Sequence, residues 1–98
     1  QAGILTSSTK ERLEQLGDTP VYFTLDLDVL DPSVFPGTGT PEPGGVSFEE
    51  LRKAVTLVCQ KANVVACDVN ELSPPYDQSG VSTMVACKVV REMLLALN

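Results

Sequence analysis

Asp26 and Asp28 close the run Val21-Tyr-Phe-Thr-Leu and stand two residues apart. On an extended chain, residues at i and i+2 face the same side. Two carboxylates on one side suit a hard divalent cation such as Mg²⁺, Mn²⁺ or Ca²⁺. A bare Asp-x-Asp is equally at home in a solvated turn, so position has to decide. In open α/β sheets, ligands bind at the carboxyl ends of the strands. Glu71 lies just beyond a second apolar run, Val64 to Cys67. If the two runs are parallel strands, Asp26, Asp28 and Glu71 project from one edge. The other acids read differently. Asp31 precedes Pro32 and is expected to start a turn, its carboxylate accepting backbone N–H bonds. Asp68 sits inside the second run, either as a structural acid or as an outer partner of the site. Asp77 lies in a Pro-rich loop and is expected to be solvated.

What is missing narrows the chemistry. The chain has no His, the commonest general base and transition-metal ligand. A Ser–His or Cys–His nucleophile built from this chain alone is excluded. The three cysteines, Cys59, Cys67 and Cys87, are far apart and form no CxxC pair, which argues against a zinc ribbon or a redox pair. Each has apolar neighbours. They are expected to be reduced thiols in or near the core, which suits a reducing, cytoplasmic setting. Seven basic against thirteen acidic residues give a net charge of −6. That balance offers no footprint for nucleic acid and none for anionic lipid. No apolar run approaches the ~20 residues of a membrane span.

The elements that must position these acids follow from pattern. Ninety-eight residues make about one domain at most. With 43% apolar and 20% charged residues, the composition is globular. Lys10 to Gly17 reads as a short helix stopped by Gly17. Val21 to Asp26 reads as a strand. Residues 31 to 46 hold four prolines and four glycines and form no regular element. Ser47-Phe-Glu-Glu50 is a capping box. It opens a helix from Phe48 to Ala62, with apolar residues at helical spacing. Val64 to Asp68 reads as a second strand and Asn70 to Val81 as a second loop. Ser82 or Thr83 is expected to cap a final helix running to about Leu97, apolar most of the way round and so well buried.

The result is α/β, a parallel-sheet βαβα segment. Parallel strands need helices on both faces, and two strands with three helices supply little cover. The segment is therefore expected to be the end of a larger sheet. The first residue is Gln1, and no charged-then-apolar leader opens the chain. It reads as processed, or as cut from something longer. Residues 1–20 carry no recognisable motif, and residues 1–98 are taken as one segment.

Thr24-Leu-Asp-Leu-Asp-Val-Leu-Asp-Pro32 followed by Phe35-Pro-Gly-Thr-Gly-Thr-Pro-Glu-Pro-Gly-Gly45 resembles the C-terminal signature of the ureohydrolases. Asp68-Val-Asn-Glu-Leu-Ser-Pro-Pro-Tyr-Asp77 resembles that family's second C-terminal block. The likeness spans roughly Val21 to Leu97, and within the family it is greater to agmatinase than to arginase. It implies the C-terminal part of a larger three-layer α/β/α fold. It also implies two Mn²⁺ ions holding a hydroxide that attacks a guanidinium carbon, with release of urea. Carried onto this chain, Asp26 would bridge the metals, Asp28 would bind one of them, and Glu71 would pair with the guanidinium group. The substrate would be a small guanidino compound, most simply agmatine, and the complete enzyme would be a homo-oligomer. The family's remaining His and Asp ligands are absent here, so this chain alone is expected to be inactive. Two other classes compete. One is a non-enzymatic acidic α/β module that binds a protein. The other is a Mg²⁺-dependent phosphate enzyme, which lacks a Gly-rich phosphate loop and a basic cluster here.

Overall fold

The computed structural model describes residues 7–97. Gln1 to Thr6, which carry no motif, lie outside the described residues, as does Asn98. The elements run α1 (Ser7–Leu16), β1 (Pro20–Asp26), α2 (Phe48–Lys61), β2 (Asn63–Asn70) and α3 (Val81–Ala96). Single 3₁₀ turns follow the strands, at Leu27–Val29 and Pro74–Tyr76.

Each boundary has a local cause. Gly17, at φ 53°, ends α1 in the left-handed region, where a glycine has no Cβ to clash. Ser47 starts α2 with the reciprocal bonds expected of a capping box. Glu50 N–H donates to Ser47 Oγ at 3.1 Å, and Ser47 N–H donates to Glu50 Oε1 at 3.3 Å. Leu51, Val55 and Cys59, spaced by four, form its buried stripe.

β1 and β2 pair in parallel, as the βαβ order requires, with Val21 against Val64 and Asp26 against Asn70. An irregularity between Val21 and Tyr22 shifts the register by one residue. Both strands therefore finish together, so whatever follows Asp26 and Asn70 emerges at one edge.

The stretch from the 3₁₀ turn after β1 through the Pro/Gly segment has no strand or α-helix, yet it carries much of the core. Leu27, Leu30 and Phe35 are fully buried. They pack with Leu25, Leu51, Val55, Val89 and Met93 in one cluster. An isolated parallel bridge, Leu30 to Val46, closes the segment at its base. Gly45 is required there: a Cβ would lie 2.5 Å from Asp31 N and 2.6 Å from Val29 O.

Two expectations are corrected. α3 is not buried all round. Ser82, Ala86, Val89 and Met93 form one inward stripe, while Met84, Leu94 and Leu95 are exposed, because no described element packs on that side. Of the three free thiols only Cys59 is in the core; Cys67 and Cys87 are exposed. In line with the expected end of a larger sheet, β2 lacks the second layer that its apolar sequence calls for, and Val65 is 63% exposed. Among the described residues no helix is long and apolar enough to cross a membrane.

Candidate active site

β1 delivers Asp26 as its last residue, and the 3₁₀ turn that follows delivers Asp28. The pleat does not align them, contrary to the simple i, i+2 argument. Instead the backbone turns, and Asp28 N–H donates to Asp26 Oδ1 at 3.1 Å. That bond caps the turn and fixes the first carboxylate relative to the second. β2 ends at Asn70, and the next residue, Glu71, has φ 79°. It is the one non-glycine at positive φ among the described residues. Holding such a residue costs on the order of 1–3 kcal/mol, and strain of this kind gathers at functional sites.

The three acids converge. Asp26, Asp28 and Glu71 each offer a carboxylate oxygen, all within 4.8 Å of one another. The one ion pair among the described residues, Arg52 with Glu49, lies on α2. The acids therefore have no basic partner there to offset their mutual repulsion. Asp26 shows the consequence. Desolvation pushes its carboxyl above the ordinary value, and the nearby Asp28 and Glu71 charges add to the rise, against the pull of the Asp28 N–H. A divalent cation would reverse that repulsion, and an all-oxygen donor set suits Mn²⁺ or Mg²⁺. The residues present thus fit part of a metal site.

Thr40, from the Pro/Gly segment, was not a sequence candidate. Its Oγ1 donates to Asp28 Oδ2 at 2.7 Å and holds that carboxylate from the far side. Only its place in the loop after the Asp-x-Asp hinted at this.

The remaining acids separate by their partners. Asp31 is a turn residue, as expected: its carboxylate takes Ser33 N–H and Gly44 N–H, both at 3.0 Å, and the Ser33 hydroxyl at 2.5 Å. The Ser33 hydroxyl is the main cause that holds it below the ordinary carboxylate value. Asp68 accepts from the Tyr22 hydroxyl, Thr24 Oγ1 at 2.7 Å and Asn70 Nδ2 at 2.5 Å. It ties the two strands together one pleat below the site.

Asp77 is not simply solvated. It accepts from Ser79 Oγ at 2.5 Å, Ser82 Oγ at 2.6 Å and Ser82 N–H at 2.8 Å. These bonds, led by the Ser79 hydroxyl, pull it down to about 2. The N-terminus of α3 is therefore capped by Asp77. The expected cap residue, Ser82, lies inside the helix and Gly80 takes the N-cap position.

Comparison with known proteins supplies what the geometry leaves open. The model of the arginase family matches residues 2–96. This chain belongs to the arginase family. An agmatinase of Halalkalibacterium halodurans is 47% identical over 87 residues, which are 88% of this chain and 30% of that protein. A human mitochondrial guanidino acid hydrolase is 44% identical over 84 residues, 86% of this chain and 24% of that protein. The solved structure of proclavaminate amidino hydrolase from Streptomyces clavuligerus superposes with a TM-score of 0.81 at 36% identity. The match covers 90% of this chain and 30% of that one. The chain thus has an arginase-family α/β fold and spans less than a third of the length of these relatives.

Proposed function

We propose that residues 1–98 are one segment, the C-terminal part of an arginase-family ureohydrolase that hydrolyses a guanidino group and releases urea. The observation that carries this reading is the convergence of Asp26, Asp28 and Glu71 within 4.8 Å at the carboxyl end of a parallel strand pair. An acidic interaction module would need no such convergence and no strained backbone at Glu71.

In the proposed site, Asp26 and Asp28 would hold Mn²⁺, with Asp26 shared between two ions and Asp28 on one. Two close cations, when bound, lower the pKa of a shared water and act as Lewis acids. The protein's own groups do the rest. Thr40 and the Asp28 N–H fix the two aspartates, so that their oxygens are already aimed when metal arrives. Glu71 offers its carboxylate to the planar guanidinium, which can answer with two parallel N–H bonds. The backbone at Glu71 turns through φ 79° directly after β2. The remaining ligands come from upstream polypeptide, so these 98 residues alone are inactive.

Agmatine, yielding putrescine and urea, is the substrate favoured by the 47% identity to an agmatinase. The three unpaired thiols suit a reducing compartment, and we place the enzyme in the cytoplasm. A homo-oligomer is proposed on the family resemblance alone.

The test is a urea-release assay on the complete enzyme, stripped of metal by a chelator and then reloaded. Turnover should vanish on stripping, return with Mn²⁺ and favour agmatine over a guanidino acid. Metal-independent turnover would refute the dimetal reading. A preference for the guanidino acid would move the substrate towards that of the human relative.

A further inference from the structure

Both site-bearing loops pass over the N-terminus of α3, where Ser82 is 1% exposed. Its Oγ accepts Gly37 N–H at 2.8 Å and donates to Asp77 Oδ2 at 2.6 Å. Gly37 belongs to the loop after β1. Its carbonyl accepts Ser73 N–H at 2.7 Å, from the loop after β2. One buried residue is thus gripped by α3 at its N–H and by the second loop at its carbonyl. The fit leaves no slack: a Cβ on Gly37 would lie 2.6 Å from Ser82 Cβ. Three residues beyond Gly37, Thr40 donates to Asp28. Two residues before Ser73 stands Glu71.

We infer that Ser82 is a positioning residue for the site. Through Gly37 it sets where Thr40 holds Asp28, and it locks the Glu71 loop to the Asp28 loop. The inference rests on the proposed reading of Asp26, Asp28 and Glu71 as a metal and guanidinium centre. Its physical basis is that a buried N–H without an acceptor must find one elsewhere. With the Ser82 hydroxyl removed, the Gly37 peptide moves, and both loops move with it. Partners beyond the ligand shell typically change metal affinity by about 10–100-fold.

The experiment is a double-mutant cycle in the complete enzyme, read by Mn²⁺ titration of the folded protein beside steady-state kinetics. Ser82→Ala should weaken Mn²⁺ binding about 10-fold, near the lower end of that range. Thr40→Val should weaken it as well. The double variant should be little worse than the worse single, because both act on Asp28. A merely structural Ser82 would lower the melting temperature and leave the metal affinity of the folded enzyme unchanged. Wild-type affinity in Ser82→Ala, or additive losses, would overturn the inference. If Ser82→Ala does not fold, Ser82→Cys retains a weaker acceptor and should show a smaller loss of the same kind. Wild-type affinity there would be equally adverse. Asp26→Asn is the control. If it keeps its metal, the reading of the site itself is wrong. If it loses metal while Ser82→Ala does not, only the role of Ser82 is wrong.

Discussion

At the carboxyl end of the strand pair, the chain leaves β1 and β2 into loops held by side-chain bonds to backbone. Asp26, Asp31, Asp77 and Ser82 each accept at least one main-chain N–H there. At the amino end, α1 reaches β1 through Gly17 and Asp18, and Asn63 Nδ2 donates to the Asp18 carbonyl at 3.1 Å. That end borders a cavity of about 400 Å³ lined by Gly17, Asp18, Cys59, Lys61 and Leu97 among others. It gathers no cluster of acids among the described residues. The carboxyl end also contains the strained Glu71 and three mutually repelling carboxylates. A fold keeps strain and repulsion where the rest of the structure over-determines them and something is gained. The contrast separates the end that carries the proposed site from an end that only turns the chain.

The largest effect should come from Asp26→Asn in the complete enzyme. In the proposed site the change would turn a bridging anion into a neutral amide, and turnover should fall to background with loss of bound metal. That exceeds the about 10–100-fold cost of changes beyond the ligand shell. Asp31→Asn, five residues on, should be milder, because its carboxylate serves a turn. Equal losses from both would erase the distinction between ligand and turn residue. Full activity in Asp26→Asn would remove the chemistry from this end altogether.

Glu71→Gln comes next. Glu71 is exposed among the described residues. Where upstream polypeptide and a bound guanidinium enclose it, removing one partner of the buried pair costs about 2–5 kcal/mol, or roughly 30- to several thousand-fold in kcat/KM. Metal stoichiometry should stay at two per site if Glu71 has the proposed role of pairing with the substrate. Metal content measured beside kinetics decides the point. Loss of metal would make Glu71 a ligand, which its place within 4.8 Å of both aspartates also permits geometrically.

Acid should act on the carboxyl end as well. Asp77 is held at about 2, against an ordinary value near 3.8, by the Ser79 and Ser82 bonds. The folded state therefore gains stability from ionised Asp77 at pH values above about 4. That gain drains away as pH falls from about 4 towards about 2. Melting curves across this range should show the loss, and Asp77→Asn should be less stable at neutral pH with a flatter acid dependence. An unchanged acid dependence in Asp77→Asn would show that other carboxylates carry it.

Much of this contrast was legible in the sequence. The capping box at Ser47 and Glu50, the β1–α2–β2 order and the shared edge of Asp26, Asp28 and Glu71 follow from local pattern and from parallel-strand topology. The hidden features depend on contacts between distant residues. Ser82 read as a cap because Ser near a helix start usually is one, and only the folded loop shows Asp77 in that role. Thr40 carries no signal until the Pro/Gly segment returns it to Asp28. The burial of Phe35 has no signal in the sequence because proline and glycine report backbone irregularity and say nothing about depth. Cys67 and α3 were misplaced for a common reason. Apolar composition states a demand for cover, and the described residues do not meet it.

The smallest effect tests the other end. Asn63→Ala removes the side-chain bond to the Asp18 carbonyl. Asn63 is exposed, so water replaces the lost partner, and the cost should sit at the low end for a hydrogen bond, about 0.5 kcal/mol. The melting temperature should drop slightly. Mn²⁺ affinity and kcat/KM should match the unmodified enzyme, because Asn63 lies seven residues down β2 from Asn70, at the opposite end of the paired register. Distant substitutions without shared partners act independently. Asn63→Ala combined with Ser82→Ala should therefore give the sum of the two stability losses and the metal affinity of Ser82→Ala alone. A change in metal affinity on adding Asn63→Ala would mean that β2 transmits displacement along its length. The two ends would then be one mechanical unit, and the contrast drawn between them would fail.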